Sequence, residues 1–275
     1  MIWPAGGWHD RGFAMSGVLA SLAHALDRGT VRLVDLTQTL TEDFPTIVLP
    51  PEFAPSAPVR IERLSHYDAA GPAWYWNNLS FGEHTGTHLD APAHWFTGRD
   101  HAQGTVDTMR LASMLAPACV IDCSAGVAAD DDFLLTRPML EAWEAAHGAI
   151  TPGAWVLMRS GWSARRGAAY ANLREDGAHT PGPDPQAIRW LVHERGIAGF
   201  GTESIGTDAG QAGQFDPPYP AHHHLHGAGR HGLQCLTNLH LLPPRGAMLM
   251  AAPLKVHQGS GSPLRVLALI EETVV

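Results

Sequence analysis

The sequence predicts one α/β domain whose mixed β-sheet is packed with helices. Three observations lead there. β-rich runs and helical patterns alternate through the middle of the chain, whereas strand-like runs dominate both ends. No long linker, internal repeat or low-complexity tract divides the sequence. Its 275 residues suffice for one large domain with a well-buried core.

Residues 1–16 read as an N-terminal extension, expected to be poorly ordered, with the domain over 17–275 and Met15 an alternative start. The stretch "MIWPAGGWHDRGFAMSG" has no basic segment ahead of an apolar one, so no secretory signal is expected. "GVLASLAHALDR" (17–28) reads as an Ala/Leu helix stopped at Gly29, and "VRLVDL" (31–36) as a strand. After a Pro-rich loop, "VRIERLSH" (59–66) and the aromatic "AWYWNNLSF" (73–81) are strand-like. "ACVIDC" (118–123) and "AWVLMRS" (154–160) predict buried strands. Between them Thr136 is expected to cap "RPMLEAWEAAHG", with Pro138 in the first turn and Gly148 past the end. Asp184-Pro185 opens a second helix that closes at Gly196. "IAGFGTE" (197–203) leads into a Gly-rich loop, and "GAMLMAAPLKV" and "LRVLALIEE" add two terminal strands.

Composition excludes several classes of function. Hydrophobic residues make up 45% and charged residues 16%, with a net charge of -9 and no Lys/Arg block. Neither a nucleic-acid footprint nor attraction to an anionic membrane follows from that balance. No apolar run approaches the roughly 18 residues that span a bilayer. Three cysteines without a CxxC pair suit a reducing compartment, and a cytoplasmic location is expected.

The chemistry concentrates in "GEHTGTHLDAPAHW" (82–95). His84 and His88 have the i, i+4 spacing of a helical zinc pair, but Thr85, Gly86, Thr87 and Pro92 argue against a helix there. In an extended segment His84, His88 and Asp90 share parity and project to one side, with Gly86 leaving room between the histidines. Two imidazoles and a carboxylate bind a divalent first-row metal and leave positions open for water and substrate. His94 would lean over such a site. The competing reading is a turn whose histidines bond to backbone.

"HTGTHLDAPAH" resembles the signature of the metal-dependent cyclase-like hydrolases, a family that includes bacterial kynurenine formamidases and isatin hydrolases. "IGTDAGQAG" (205–213), "PAHHHLHGAGRHGLQCLTNL" (220–239) and "APLKVHQGSGSPLRVLAL" (252–269) resemble later blocks of the family. "YWNNLSFGEHTGTHLDAP" and "IDCSAGVAADDDFLL" are more similar to its isatin hydrolase branch.

The resemblance implies a swivelling β/β/α type of fold, with His84, His88 and Asp90 as metal ligands and His94 as general base and acid. It implies hydrolysis of the cyclic amide of isatin to isatinate. In the formamidases a histidine and, twelve positions on, a glutamate complete a second metal position. Here His222 matches the histidine, but Gln234 stands in place of the glutamate. One divalent metal per chain is therefore expected, Mn²⁺ favoured and Zn²⁺ the alternative, with His222 left to bind substrate. His223, His224 and His226 read as solvated residues at a helix start. Phe53, Trp74 and Trp76 are candidates to line an aromatic pocket, with core or interface packing the alternative. Asp208 and Gln211, in the Gly-rich loop, are candidates to orient the site, Gln211 toward substrate, or to support the loop. The expected partners are a small aromatic cyclic amide and a second copy in a homodimer. Kynurenine formamidase activity and a non-catalytic metal-binding role are the competing functions.

Overall fold

A computed structural model describes residues 17–49 and 53–272, so the expected N-terminal extension lies outside the described residues. Helix α1 (Val18–Asp27) follows the Ala/Leu run, and the chain leaves it through Gly29 at φ 71°. Strand β1 (Val31–Asp35) precedes a hairpin of β2 (Arg60–Asp68) and β3 (Gly71–Ser80), and the histidine motif supplies β4 (His88–Asp90). Then come β5 (Leu115–Asp122), α2 (Ser124–Ala129), the short β6 (Leu134–Leu135), α3 (Arg137–His147) and β7 (Trp155–Arg159). A loop-rich stretch holds α4 (Ala168–Ala171), β8 (Leu173–Arg174), β9 (Gly177–Ala178) and β10 (Gly182–Pro183). Next are α5 (Pro185–His193), β11 (Gly199–Thr202), α6 (Pro220–Gly227) and β12 (His231–Gln234). The last strands are β13 (Ala247–Ala251), β14 (Gly261–Pro263) and β15 (Val266–Glu271).

Among the described residues nine strands form one mixed sheet in the order β1-β15-β13-β5-β7-β11-β12-β4-β14. Its centre, β5-β7-β11-β12, is parallel, and every pairing outside it is antiparallel. That division explains the sequence pattern. Val156, Met158 and Phe200 face one core, while Trp155 and Leu157 face the other, so these strands are apolar on both sides.

The two cores differ in what covers them. On one face the sheet meets the helices, with Leu140 and Trp143 of α3, Ile188 and Leu191 of α5 and Leu225 of α6 packed on it. On the other, Val34 from β1 shares a core with Leu89 from β4, although these strands lie near opposite ends of the sheet. The sheet therefore curls upon itself. A bridge between Thr37 and Leu236 closes the curl, joining the chain beyond β1 to the chain beyond β12.

One cap departs from expectation. Asp184 accepts the Ala187 N–H at 2.6 Å, as an N-cap carboxylate should, but Thr136 makes no side-chain bond at the start of α3. Pro138 and backbone bonding suffice to start that helix.

Candidate metal centre

Strand register assembles the motif. β4 lies between β12 and β14, with Gly232 and Gly261 opposite Asp90, and Gln234 and Pro263 opposite His88. Alternation sends His88 and Asp90 to one face and the fully buried Leu89 into the core. His84 arrives differently from the single extended run that parity suggested. It precedes the strand, and the chain turns at Gly86, whose φ of 63° favours glycine. Gly86 thus supplies a left-handed turn, a stronger requirement than the empty space assigned to it. His94 ends a short 3₁₀ turn, Pro92–His94, immediately beyond the strand.

The ring nitrogens of His84 and His88 and the Asp90 carboxylate all lie within 4.8 Å of one another, and so do those of Asp90, His94 and His222. His84 Nδ1 is 2.6 Å from Asp90 Oδ1, and His88 Nε2 is 3.4 Å from the same oxygen. The His94 ring lies over that of His84, 3.9 Å between centroids. Asp90 is thus common to both groups.

Outer contacts fix which nitrogens face inward. His88 Nδ1 donates to the Gly86 carbonyl at 2.8 Å, leaving Nε2 toward Asp90. His84 Nε2 lies 2.9 Å from Ser260 Oγ, which donates to the Glu83 carboxylate at 2.6 Å. Since Ser260 has spent its proton on Glu83, His84 Nε2–H donates to Ser260, and Nδ1 is left as a lone pair facing Asp90. His222 Nδ1 donates to Asp208 at 2.5 Å, and that carboxylate also accepts the Ala221 and His222 N–H groups. Asp208 therefore orients His222, one of the two roles open to it from sequence.

The donor set fits a divalent cation. A lone pair of His84 facing a carboxylate oxygen is repulsive unless a proton or a cation lies between them. The Gln234 amide donates to Asp90 Oδ2, yet its own Oε1 is buried without a partner. Burial alone would raise the Asp90 pKa, but His94 and His84 outweigh it and hold the carboxyl well below its usual range. Burial pushes His94 down to about 4 against the attraction of Asp90, so its imidazole is a neutral base near pH 7. Burial also opposes the charge on His222, but Asp208 outweighs it and raises that pKa.

The aromatic candidates are half-exposed, Trp74 and Trp76 on the β2–β3 hairpin and Phe53 at 56% exposure. Among the described residues β2 and β3 pair only with each other, forming a two-stranded ribbon apart from the large sheet. Gln211 donates to the Ala178 carbonyl at 2.9 Å and accepts from Gln214 at 2.8 Å, which ties down its loop. These bonds favour the loop-supporting alternative.

Two residues beside the cluster escaped the sequence reading. Trp95, next to the motif, has its ring 4.9 Å from that of His222. His226 is fully buried, contrary to its assignment as solvated, and packs against His94 and His222. Its i, i+4 spacing from His222 on α6 was the available signal.

A family model described as a putative cyclase matches residues 34–209, more than half of the chain. The chain belongs to that family. The isatin hydrolase of Roseibium aggregatum is 50% identical over 255 residues, covering 92% of this chain and 97% of that one. Among solved structures, isatin hydrolase A from Ralstonia solanacearum has 58% identity and a TM-score of 0.92, covering 94% of this chain and 99% of that one. An isatin hydrolase bound to the product analogue thioisatinate has 49% identity and a TM-score of 0.91, covering 92% and 98%. A kynurenine formamidase from Polaromonas naphthalenivorans is more distant, 28% identical over 249 residues, 89% of this chain and 94% of that one.

Proposed function

We propose that this protein hydrolyses the cyclic amide of isatin to isatinate at a single divalent metal held by His84, His88 and Asp90. The observation that carries this reading is the convergence of those three residues with His94 in a chain half-identical to an isatin hydrolase along nearly its whole length. Gln234 supports one ion: it gives Asp90 Oδ2 a neutral hydrogen bond where a second cation would need a carboxylate. Mn²⁺ suits the mixed nitrogen and oxygen donors, with Zn²⁺ second.

When bound, the ion supplies Lewis acidity that polarises the amide carbonyl and lowers the pKa of the attacking water. His94 takes the proton from that water and returns it to the lactam nitrogen as the ring opens. Asp208 favours the charged form of His222, so its Nε2–H donates to a substrate oxygen. Trp95 offers an aromatic face beside that group.

The working form is a homodimer, because the exposed aromatic hairpin needs a second surface to cover it. Phe53, Trp74 and Trp76 reach substrate only if that second copy brings them to a site. The location is cytoplasmic, in keeping with three cysteines that are all free and buried. Among the described residues no helix is long and apolar enough to cross a membrane.

The deciding experiment follows isatin opening by absorbance with protein stripped of metal and then restored with Mn²⁺ or Zn²⁺. Turnover that vanishes on stripping and returns on restoring is the expected result. N-formylkynurenine turned over faster than isatin would make the protein a formamidase. Metal bound with no turnover of either substrate would make it a binding protein.

A further inference from the structure

We propose that the cavity beyond the C-terminal end of α6, lined by Arg110, Arg230, His101 and His231, binds a small oxyanion, a phosphate or a carboxylate. The cavity measures about 290 Å³ and is separate from the metal cluster. Gly232 and Gln234 of β12 face Asp90, whereas alternation turns His231 to the opposite side of the strand, where its ring lies 6.5 Å from that of Trp155.

Charge is the first argument. Several arginines elsewhere in this acidic chain meet carboxylates: Arg159 meets Asp122 at 2.7 Å, Arg195 meets Glu144 at 2.8 Å, and Arg265 meets Asp35 at 2.6 Å. Arg110 and Arg230 share one cavity, and among the described residues neither side chain has a hydrogen-bond or ion-pair partner. Arg230 Nε is moreover buried without a partner. Burial and the nearby charge of Arg110 both lower the Arg230 pKa, the mark of two cations held together with no anion between them.

The second argument is independent of charge. His231 is 6% exposed, and neither of its ring nitrogens has a hydrogen-bond partner in the chain. A buried imidazole with both nitrogens orphaned costs stability unless something else satisfies it. Burial pushes its pKa down to about 4; the Ala198 carbonyl lies near the ring and offsets this in part but falls outside hydrogen-bond geometry, so the ring is neutral and carries one N–H to donate. An oxyanion accepts from that N–H and from both guanidinium groups at once. A neutral acceptor would leave the paired positive charges uncompensated, an oxyanion compensates them, and a metal cation is repelled by them.

Calorimetric titration of the metal-loaded protein tests the site, with inorganic phosphate and acetate as separate titrants and potassium chloride at matched ionic strength as the reference. Saturable binding near one per chain is expected from at least one of the two. Phosphate alone, or acetate alone, identifies which oxyanion the site prefers. Arg110→Gln and Arg230→Gln should each weaken the dissociation constant at least about tenfold, while Arg28→Gln, on the surface after α1, leaves it unchanged. Arg110 is exposed, so its variant keeps the test decisive should Arg230→Gln fail to fold. Heat no greater than that of chloride overturns the proposal. So does binding that survives both substitutions, because it places the anion at the metal cluster.

Discussion

The cluster around β4 and the β2–β3 hairpin are built from similar materials and fare differently. Both are short extended segments dense in histidine or aromatic residues. β4 is hydrogen-bonded on both edges, and its odd residue, Leu89, is locked in the core. Among the described residues the hairpin pairs only with itself, and Trp74, Tyr75 and Trp76 are about half-exposed. Density of functional side chains therefore does not make a site. A site forms where neighbours on both sides remove the freedom of those side chains.

The most severe way to break the comparison is Asp90→Asn. Asp90 belongs to both candidate ligand groups, so the variant should lose tight metal binding and hydrolysis together, read by elemental analysis and isatin turnover. Full metal occupancy with near-normal turnover would remove Asp90 from the ligand set.

His94→Ala should keep the metal and slow turnover by roughly 10²–10⁴. Metal lost along with activity would make His94 a ligand.

Gln234→Glu restores the carboxylate of the formamidase pattern. In excess metal the variant should hold more than one ion per chain, and without metal it should melt lower than the parent, because two buried carboxylates then face each other. A stoichiometry that stays at one would mean that His222 and Asp90 cannot share a second ion.

On the hairpin, Trp76→Ala should change the stability of the single chain by about 0.5 kcal/mol or less. Its effect should appear instead in sedimentation, as a shift from dimer toward monomer. A monomer destabilised by several kcal/mol would show that the ring belongs to a core.

The smallest effect comes from a histidine outside both regions. His179 lies between Asp132 at 2.6 Å and Asp176 at 2.9 Å, and the bond to Asp132 does most to raise its pKa above 6.5. A raised folded-state value means that its contribution is fully present below pH 6.5 and is lost as pH rises through the folded value. The melting temperatures of the parent and His179→Gln should thus differ most near pH 6 and converge in alkali. A gap that widens with pH would show that the ring is held neutral.

Local pattern made most of the fold legible. The apolar strands at 115–122 and 155–159 and the Asp184 cap rest on nearest-neighbour rules, and they fold as those rules require. Parity also placed His88 and Asp90 on one face of β4. What escaped depends on partners distant in sequence. Whether Trp76 is covered depends on what packs over the hairpin, which nothing in "AWYWNNLSF" encodes. The burial of His226, and the half-burial of His223 and His224 where solvated residues were expected, depend on which side of a two-turn helix meets α5 and the sheet. The Ser260–Glu83 support for His84 joins residues 177 apart and left no local trace.

β4 contributes three residues near the first third of the chain, while the strands that clamp it come from 231–234 and 261–263. The candidate ligands on β4 are held in register by strands that come much later in the chain. Contacts so remote in sequence form slowly and late. An ion that recognises the finished arrangement therefore adds little to the rate of folding and acts mainly on the way out, by slowing unfolding. The metal would then behave as a lock on a completed structure, and a chelator would shorten the lifetime of the native state without hindering its formation.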